Sequence, residues 1–214
     1  MKITEIFSSL QGESTLQGLP CVFVRVSGCN LDCRYCDTQY ARKGGTDMTV
    51  KEIVKKADYF GLKYVCITGG EPLIQKETPK LAEEFINRGW KVSIETNGSL
   101  DASMLHEHVI RVIDIKCPGS GESGKTIAGN ILNRRASDEF KFVITDRADF
   151  DYAVAFIREN DLTDAGNVLF SPAYNILDPK KLSAWILKDM PEVRLNLQLH
   201  KYIWHDSDER NIIH

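Results

Sequence analysis

Short runs of β-branched and aromatic residues alternate along the chain with longer stretches whose apolar residues recur every third or fourth position, the pattern of strands alternating with helices. The runs predict strands over Cys21 to Val26, Tyr64 to Thr68, Lys91 to Glu95, Val109 to Ile115, Glu139 to Ile144, Asn167 to Ser171 and Val193 to Gln198. Several are apolar at nearly every position, as expected of parallel strands covered on both faces. Between them, Thr49 and Glu52 form a capping-box pair ahead of Val50, Ile53, Val54, Ala57 and Phe60 at helical spacing. Thr78-Pro79 opens a second helix that turns Leu81, Ala82, Phe85 and Ile86 inward and stops at Gly89. A third spans Asp149 to Glu159, and Asp178-Pro179 opens a fourth that buries Leu182, Trp185 and Ile186. Repeated βαβ units with right-handed crossovers wind into a barrel or a curved open sheet. The chain has 214 residues, whereas eight such units take roughly 250. The expected fold is therefore α/β, an incomplete TIM-like barrel of parallel strands with outer helices. One domain over residues 1–214 is expected, because no repeat or linker interrupts the pattern and the length suits a single core.

Polar residues gather where the strands end. The first strand leads into a cysteine loop, the second into Gly69-Gly70-Glu71-Pro72, the third into Thr96-Asn97-Gly98, the fourth into Lys116-Cys117-Pro118 and the last into His200. Parallel strands point their carboxyl ends to one rim, so these segments are expected to converge on one mouth.

Composition narrows the classes. With 43% hydrophobic and 27% charged residues the chain reads as an ordinary globular protein, and no apolar run approaches the roughly 18 residues that span a bilayer. Met1-Lys2-Ile3-Thr4-Glu5 lacks the basic and then apolar start of a secretory signal. A cytoplasmic location without membrane attachment is expected. A net charge of -3 offers no basic footprint for a phosphate backbone, which argues against nucleic acid as a partner. In a reducing compartment the six cysteines read as metal ligands, reactive groups or small buried hydrophobes before disulfides.

Three cysteines lie together in Gly28-Cys29-Asn30-Leu31-Asp32-Cys33-Arg34-Tyr35-Cys36-Asp37-Thr38, a C-x3-C-x2-C array. Soft thiolates at such intervals suit zinc or an iron-sulfur cluster. A structural zinc takes four protein ligands, and no histidine or fourth cysteine lies nearby in sequence. A cubane held by three cysteines keeps one iron open for chemistry.

The array, set after the first strand of the expected barrel, resembles that of the radical S-adenosylmethionine superfamily, and Gly69-Gly70-Glu71-Pro72 resembles its methionine-binding turn. The resemblance implies a [4Fe-4S] cluster on Cys29, Cys33 and Cys36, with S-adenosylmethionine chelated at the open iron and cleaved to a radical that abstracts hydrogen from substrate. The backbone of Gly69 and Gly70 would approach the methionine amine, as residues lacking a Cβ permit, with Glu71 supporting the turn.

A closer resemblance runs through Ile6-Phe7-Ser8-Ser9-Leu10-Gln11-Gly12-Glu13, Gly18-Leu19-Pro20, Phe23-Val24-Arg25, Cys36-Asp37-Thr38, Glu95-Thr96-Asn97-Gly98, Asp114-Ile115-Lys116-Cys117-Pro118, Phe140-Lys141-Phe142-Val143 and Gln198-Leu199-His200-Lys201. These segments are similar to the 7-carboxy-7-deazaguanine synthase family. The resemblance implies a lyase that contracts 6-carboxy-5,6,7,8-tetrahydropterin to 7-carboxy-7-deazaguanine with loss of ammonia, toward queuosine and other 7-deazapurines. It also implies a magnesium-assisted homodimer and an external electron donor such as a flavodoxin-type protein. The chemistry then falls to cluster and cofactor, with no further catalytic side chain. Thr38 would bind magnesium. Tyr35, Cys36, Asp37, Gly98 and Lys116 would line the S-adenosylmethionine site with Gly69, Gly70 and Glu71. Leu10, Gln11, Gly12, Glu13, Arg25, Thr96 and His200 would meet the pterin. These roles suit the side chains: a Glu13 carboxylate can accept from a guanine-like edge, an Arg25 guanidinium can grip a carboxylate through two bonds, and magnesium takes hard oxygens such as the Thr38 hydroxyl.

Each assignment has a plainer alternative. Arg25 can pair with a surface carboxylate, Asp37-Thr38 and Thr96-Asn97-Gly98 can simply close turns, and Gln11-Gly12-Glu13 can be a bare loop. Cys21 and Cys66 read as buried hydrophobes, Cys117 is left open, Trp185 reads as core, and Trp204 as cover for an edge or a subunit contact. Gly119 to Lys125, rich in Gly and Ser, is expected to be mobile until ligands bind, and the tail from His205 to His214 departs from the family pattern. Two other functions remain in contrast: a glycyl-radical-enzyme activase, which needs a docking surface for a large partner, and a zinc or iron-sulfur module without catalysis.

Overall fold

The computed structural model describes residues 1–164 and 167–204. Its strands are β1 (Lys2–Leu10), β2 (Pro20–Val26), β3 (Thr46–Asp47), β4 (Tyr64–Gly69), β5 (Lys91–Thr96), β6 (Val109–Ile115), β7 (Glu139–Ile144), β8 (Asn167–Pro172) and β9 (Arg194–Leu195). They form one sheet in the order β3-β1-β2-β4-β5-β6-β7-β8-β9. Every neighbouring pair from β2 across to β9 is parallel, and β1 lies antiparallel between β2 and β3. The margins β3 and β9 do not pair with each other, so the barrel stays open, as its length implied. The helices are α1 (Val50–Asp58), α2 (Thr78–Asn87), α3 (Ala128–Leu132), α4 (Arg147–Glu159), α5 (Pro179–Asp189) and α6 (Leu199–Ile203). Among the described residues no helix is long and apolar enough to cross a membrane.

Local chemistry starts the helices where the sequence said it would. The Thr49 hydroxyl accepts from the Glu52 N–H while the Glu52 carboxylate accepts from the Thr49 N–H at 2.8 Å, and Asp178 accepts from the Lys180 N–H at 2.8 Å to open α5. Asp146, not foreseen, caps α4. The parallel strands turn alternate residues to opposite faces. On the outer face, Val22, Val24, Val65, Ile67 and Ile94 pack against α1 and α2 through Ile53, Ala57, Leu81 and Phe85. Ile113, Ile115, Phe140, Phe142 and Phe170 pack against α4 and α5 through Phe150, Ala153, Leu182 and Ile186. Phe7, Cys21, Phe23, Tyr64 and Cys66 close the lower interior.

Three local expectations need correction. β1 was not foreseen, because a register shift between Ile3 and Glu5 breaks the two-residue period: Ile3 joins the outer core and Phe7 the inner one, although their numbers have the same parity. The last strand, expected over Val193 to Gln198, is only the two-residue β9. The Asn196 N–H still donates to the Phe170 carbonyl at 2.9 Å and its Nδ2 to the Ser171 Oγ at 3.0 Å; beyond it the chain turns into α6, so His200 sits on that helix rather than at a strand end. α3 escaped notice because Gly129 and Asn130 are poor helix formers; the buried Asn130 is fully used, donating to the Gly98 carbonyl at 3.0 Å and accepting from the Ala102 N–H at 3.0 Å.

One ion pair is wholly inside the outer layer. Arg111 donates from Nε to Asp138 Oδ1 at 2.8 Å, from Nη2 to Asp138 Oδ2, and from Nη2 to the Asn133 carbonyl at 3.1 Å, and the two side chains are 1% and 0% exposed. Arg111→Met would strand the Asp138 carboxylate. It should lower unfolding stability by about 3–5 kcal/mol in denaturant titrations.

Candidate active site

The concave face of the sheet encloses a cavity of about 840 Å³, within the ~300–1,000 Å³ usual for ligand sites. Phe7 of β1 and Ser171 of β8 both line it, so the open sheet curls until its two sides face each other. The expected convergence is realised. Cys29, Cys33, Tyr35, Cys36, Asp37 and Thr38 reach the wall from the loop after β2, Gly69 and Gly70 from the end of β4, Thr96 from β5, and Lys116 from beyond β6. Leu10, Gln11, Gly12, Glu13, Arg25 and His200 line it as well. Glu71 and Gly98 are buried behind the wall.

The cysteine loop and the glycine turn are built against each other. A Cβ on Gly70 would lie 1.9 Å from the Gly28 carbonyl oxygen, and one on Gly69, whose φ is +139°, would lie 2.3 Å from the Val26 oxygen. Only glycine permits this approach. Glu71, 0% exposed, donates its N–H to the Gly28 oxygen at 2.8 Å. Its carboxylate accepts from the Leu73 N–H at 2.9 Å, the Thr96 hydroxyl at 2.8 Å and the Asn97 N–H at 2.7 Å. Burial pushes its pKa above the ordinary value in spite of these donors. On the other side of the loop, the Asp32 N–H donates to Glu122 Oε1 at 2.7 Å and the Arg34 N–H to the Ser120 oxygen at 3.0 Å. The Gly119 to Lys125 stretch, expected to be mobile, is thus tied to the cysteine loop by hydrogen bonds.

The donor set fits an iron-sulfur cluster. Burial pushes the Cys33 thiol up, and the neighbouring Asp114, Cys36 and Cys29 add to the shift while Lys116 opposes it; a cationic cluster relieves such crowding of thiolates. Among the described residues no three cysteine, histidine or carboxylate side chains gather as ligands of a single ion. A cubane does not need that, since each thiolate binds a different iron corner. The Tyr35 hydroxyl and Asp114 Oδ1, both buried on residues of this wall, have no hydrogen-bond partner among the described residues. Polar groups of a bound cofactor or substrate would satisfy them.

Across the cavity the charges pair off. Lys141 reaches Glu13 at 2.7 Å and Asp114 at 3.5 Å, and Lys116 reaches Asp114 at 2.9 Å. Gln198 Nε2 donates to the second oxygen of Glu13 at 2.8 Å. Burial disfavours the Glu13 charge, but Lys141, His200 and these hydrogen bonds hold its pKa below the ordinary value. Burial likewise opposes the Lys141 charge, and Glu13, Asp114 and Glu95 hold it well above the ordinary lysine value. Arg25 is clamped at Nε by Glu5 at 2.6 Å and lies 5.8 Å from the centres of both the Phe7 and Tyr40 rings. The Thr38 hydroxyl donates to Asp37 at 2.8 Å. Gly12 is glycine because the His200 ring lies over it: a Cβ there would be 2.0 Å from the His200 Nδ1. Trp204 lines the cavity, Trp185 is half-buried, and Cys21, Cys66 and Cys117 are fully buried. The tail from His205 lies outside the described residues.

Glu95, Asp114 and Lys141 were not singled out from the sequence. Their signal is a charge flanked by apolar residues of the outer face, as in Ile113-Asp114-Ile115 and Phe140-Lys141-Phe142, which forces the charge inward once the helix-covered parity is known.

A model of the Radical SAM superfamily matches residues 23–116. The 7-carboxy-7-deazaguanine synthase of Koribacter versatilis is 43% identical over 95% of this chain and 97% of its own. The chain belongs to the 7-carboxy-7-deazaguanine synthase family. The synthase of Chlorobaculum tepidum is 41% identical over 99% of this chain and 97% of its own. The crystal structure of QueE from Escherichia coli shares the fold, with a TM-score of 0.76 at 20% identity over 93% of this chain and 94% of that one. Membership in the synthase family, within the radical S-adenosylmethionine superfamily, implies a [4Fe-4S] cluster and S-adenosylmethionine. Because Gly70 presses on Gly28, Gly70→Ala should destabilise this synthase-family protein by about 1–3 kcal/mol. It should also lower the iron retained per chain after reconstitution, measured by iron assay against the unchanged protein.

Proposed function

We propose that the protein is a 7-carboxy-7-deazaguanine synthase, a lyase that converts 6-carboxy-5,6,7,8-tetrahydropterin to 7-carboxy-7-deazaguanine with loss of ammonia on the way to queuosine and other 7-deazapurines. The observation that carries this reading is 43% identity to the Koribacter versatilis synthase along 95% of the chain. Cys29, Cys33 and Cys36 would hold the cluster, and the chemistry it would supply is one-electron reduction of S-adenosylmethionine to begin radical chemistry on the substrate. Gly69, Gly70, Tyr35, Cys36, Asp37 and Lys116 are assigned the cofactor, with Glu71 and Gly98 supporting that wall from behind.

The other wall is assigned the pterin. Glu13 accepts from its amide and amine edge, and Arg25, held against Glu5 and the rings of Phe7 and Tyr40, takes its carboxylate. Leu10, Gln11, Gly12, Thr96 and His200 complete the enclosure. The Thr96 hydroxyl proton is committed to Glu71, so Thr96 serves by shape more than by donation. Thr38 would offer its hydroxyl oxygen to hold a magnesium ion, a cation that prefers hard oxygen ligands. A homodimer supplied by a flavodoxin-type donor in the cytoplasm completes the proposal. The glycyl-radical activase and the non-catalytic module draw no support from the relatives.

Anaerobic reconstitution, reduction and addition of S-adenosylmethionine with the pterin should yield a deazaguanine chromophore. 5'-Deoxyadenosine formed while the pterin stays unchanged would remove the substrate assignment and leave the superfamily. Thr38→Ala should keep its full iron content and lose most of the rate response to added magnesium; an unaltered magnesium titration would count against that ligand.

A further inference from the structure

Lys141 is a buried cation that touches both Glu13 of the pterin wall and Asp114 next to the cofactor wall. It extends from β7 beside its register partner Asp114 on β6, and its side chain is 10% exposed. The salt bridges form an alternating row, Glu13, Lys141, Asp114 and Lys116, with spacings of 2.7, 3.5 and 2.9 Å. None of the roles proposed above uses Lys141.

Glu13 sits on a loop, and a loop carboxylate needs outside restraint to hold one direction. The Gln11 side-chain oxygen accepts from the Glu13 N–H at 3.1 Å, the Leu199 N–H donates to the Gly12 oxygen at 2.8 Å, and Thr15 donates to Glu139 from its N–H at 3.0 Å. These fix the backbone. The carboxylate itself is pinned at Oε2 by Lys141 and at Oε1 by Gln198. Each oxygen keeps a second lone pair. A carboxylate held in this way can accept two parallel N–H groups from a ring that carries an amide N–H beside an exocyclic amine.

Resting on the functional reading above, we infer that Lys141 is a positioning residue, which fixes the Glu13 carboxylate for a heterocycle with adjacent amide N–H and amine donors. Without the ammonium, a carboxyl buried on this wall is free to take a proton or turn aside, and either change replaces an acceptor with a mismatched group. The selectivity that results is for the 2-amino-4-oxo edge as a whole, since a ring lacking the amine leaves a buried oxygen unmet.

Binding of 6-carboxytetrahydropterin, and of its analogue lacking the 2-amino group, is measured on the reconstituted protein with S-adenosylmethionine present. The proteins are wild type, Lys141→Met, Glu13→Gln and the double variant. Lys141→Met should weaken the pterin by about tenfold or more, which corresponds to about 1.4 kcal/mol, and erase discrimination against the analogue. Iron content and S-adenosylmethionine affinity should stay within about twofold, and on the Glu13→Gln background Lys141→Met should add less than about twofold, because residues acting as one unit are not additive. Unchanged pterin affinity, an undiminished second loss in the double variant, or equal weakening of pterin and S-adenosylmethionine would each overturn the inference. Lys141→Gln replaces Lys141→Met if the latter does not fold, and failure of both to fold would place Lys141 in the core and overturn it too. A wild-type protein that binds S-adenosylmethionine but no pterin would overturn the functional reading, and this inference with it.

Discussion

The Gly28 carbonyl meets the Glu71 N–H at 2.8 Å, directly under Gly70, and the ends of three strands are organised around that backbone contact. The parallel register of β2 with β4 pairs Val26 with Gly69, which brings the cysteine loop and the glycine turn to the same height. The two backbones can then close on each other only because neither Gly69 nor Gly70 has a Cβ. Glu71 extends the link to the next strand by accepting from Thr96 and Asn97. A carboxylate with no exposure is tolerable here because its donors satisfy it. The thiols are consequently presented by a loop held on one side by the turn and on the other by Ser120 and Glu122.

The rest of the interior follows from how the sheet divides its two faces. Apolar residues of the strands go outward to the helices, which supply most of the buried apolar area and hence the driving force for folding. The concave face is then free to carry Arg25, Glu95, Asp114 and Lys141. Buried charges are unfavourable alone, so Arg25, Asp114 and Lys141 sit in ion pairs with short contacts, while Glu95 accepts from the Thr68 hydroxyl at 3.0 Å and from Gln11 Nε2 at 3.3 Å. The same pairing orients the side chains before any ligand arrives, which is the condition for selective binding at a closed site. Stability is therefore vested in the outer layer and specificity in the inner one.

Much of this was legible from periodicity. The capping residues Thr49 and Asp178, the strand runs, and the convergence of the cysteine loop, Gly69-Gly70 and Lys116 on one rim needed only the spacing of apolar residues and the geometry of parallel strands. β1 was not legible, because its bulge puts Ile3 and Phe7 on opposite faces. The end of β9 was not either: Val193 to Gln198 reads as a strand, but pairing with β8 stops once the Asn196 N–H meets the Phe170 carbonyl, and the Asn196 side chain is held by Ser171, 25 positions away in sequence. Arg25 looked available for a ligand, and only the folded chain brings Glu5 against it.

By itself the sequence determined the α/β class, the thiol array and the glycine turn, because each is written in neighbouring residues whose spacing is local chemistry. Tertiary structure alone decided which charges share the cavity and in what order. Glu13 comes from a loop, Asp114 from β6, Lys116 from just beyond it and Lys141 from β7, as many as 128 positions apart, and their pairing depends on register, curvature and burial. Those are properties of the assembled sheet, and no local pattern of residues encodes them.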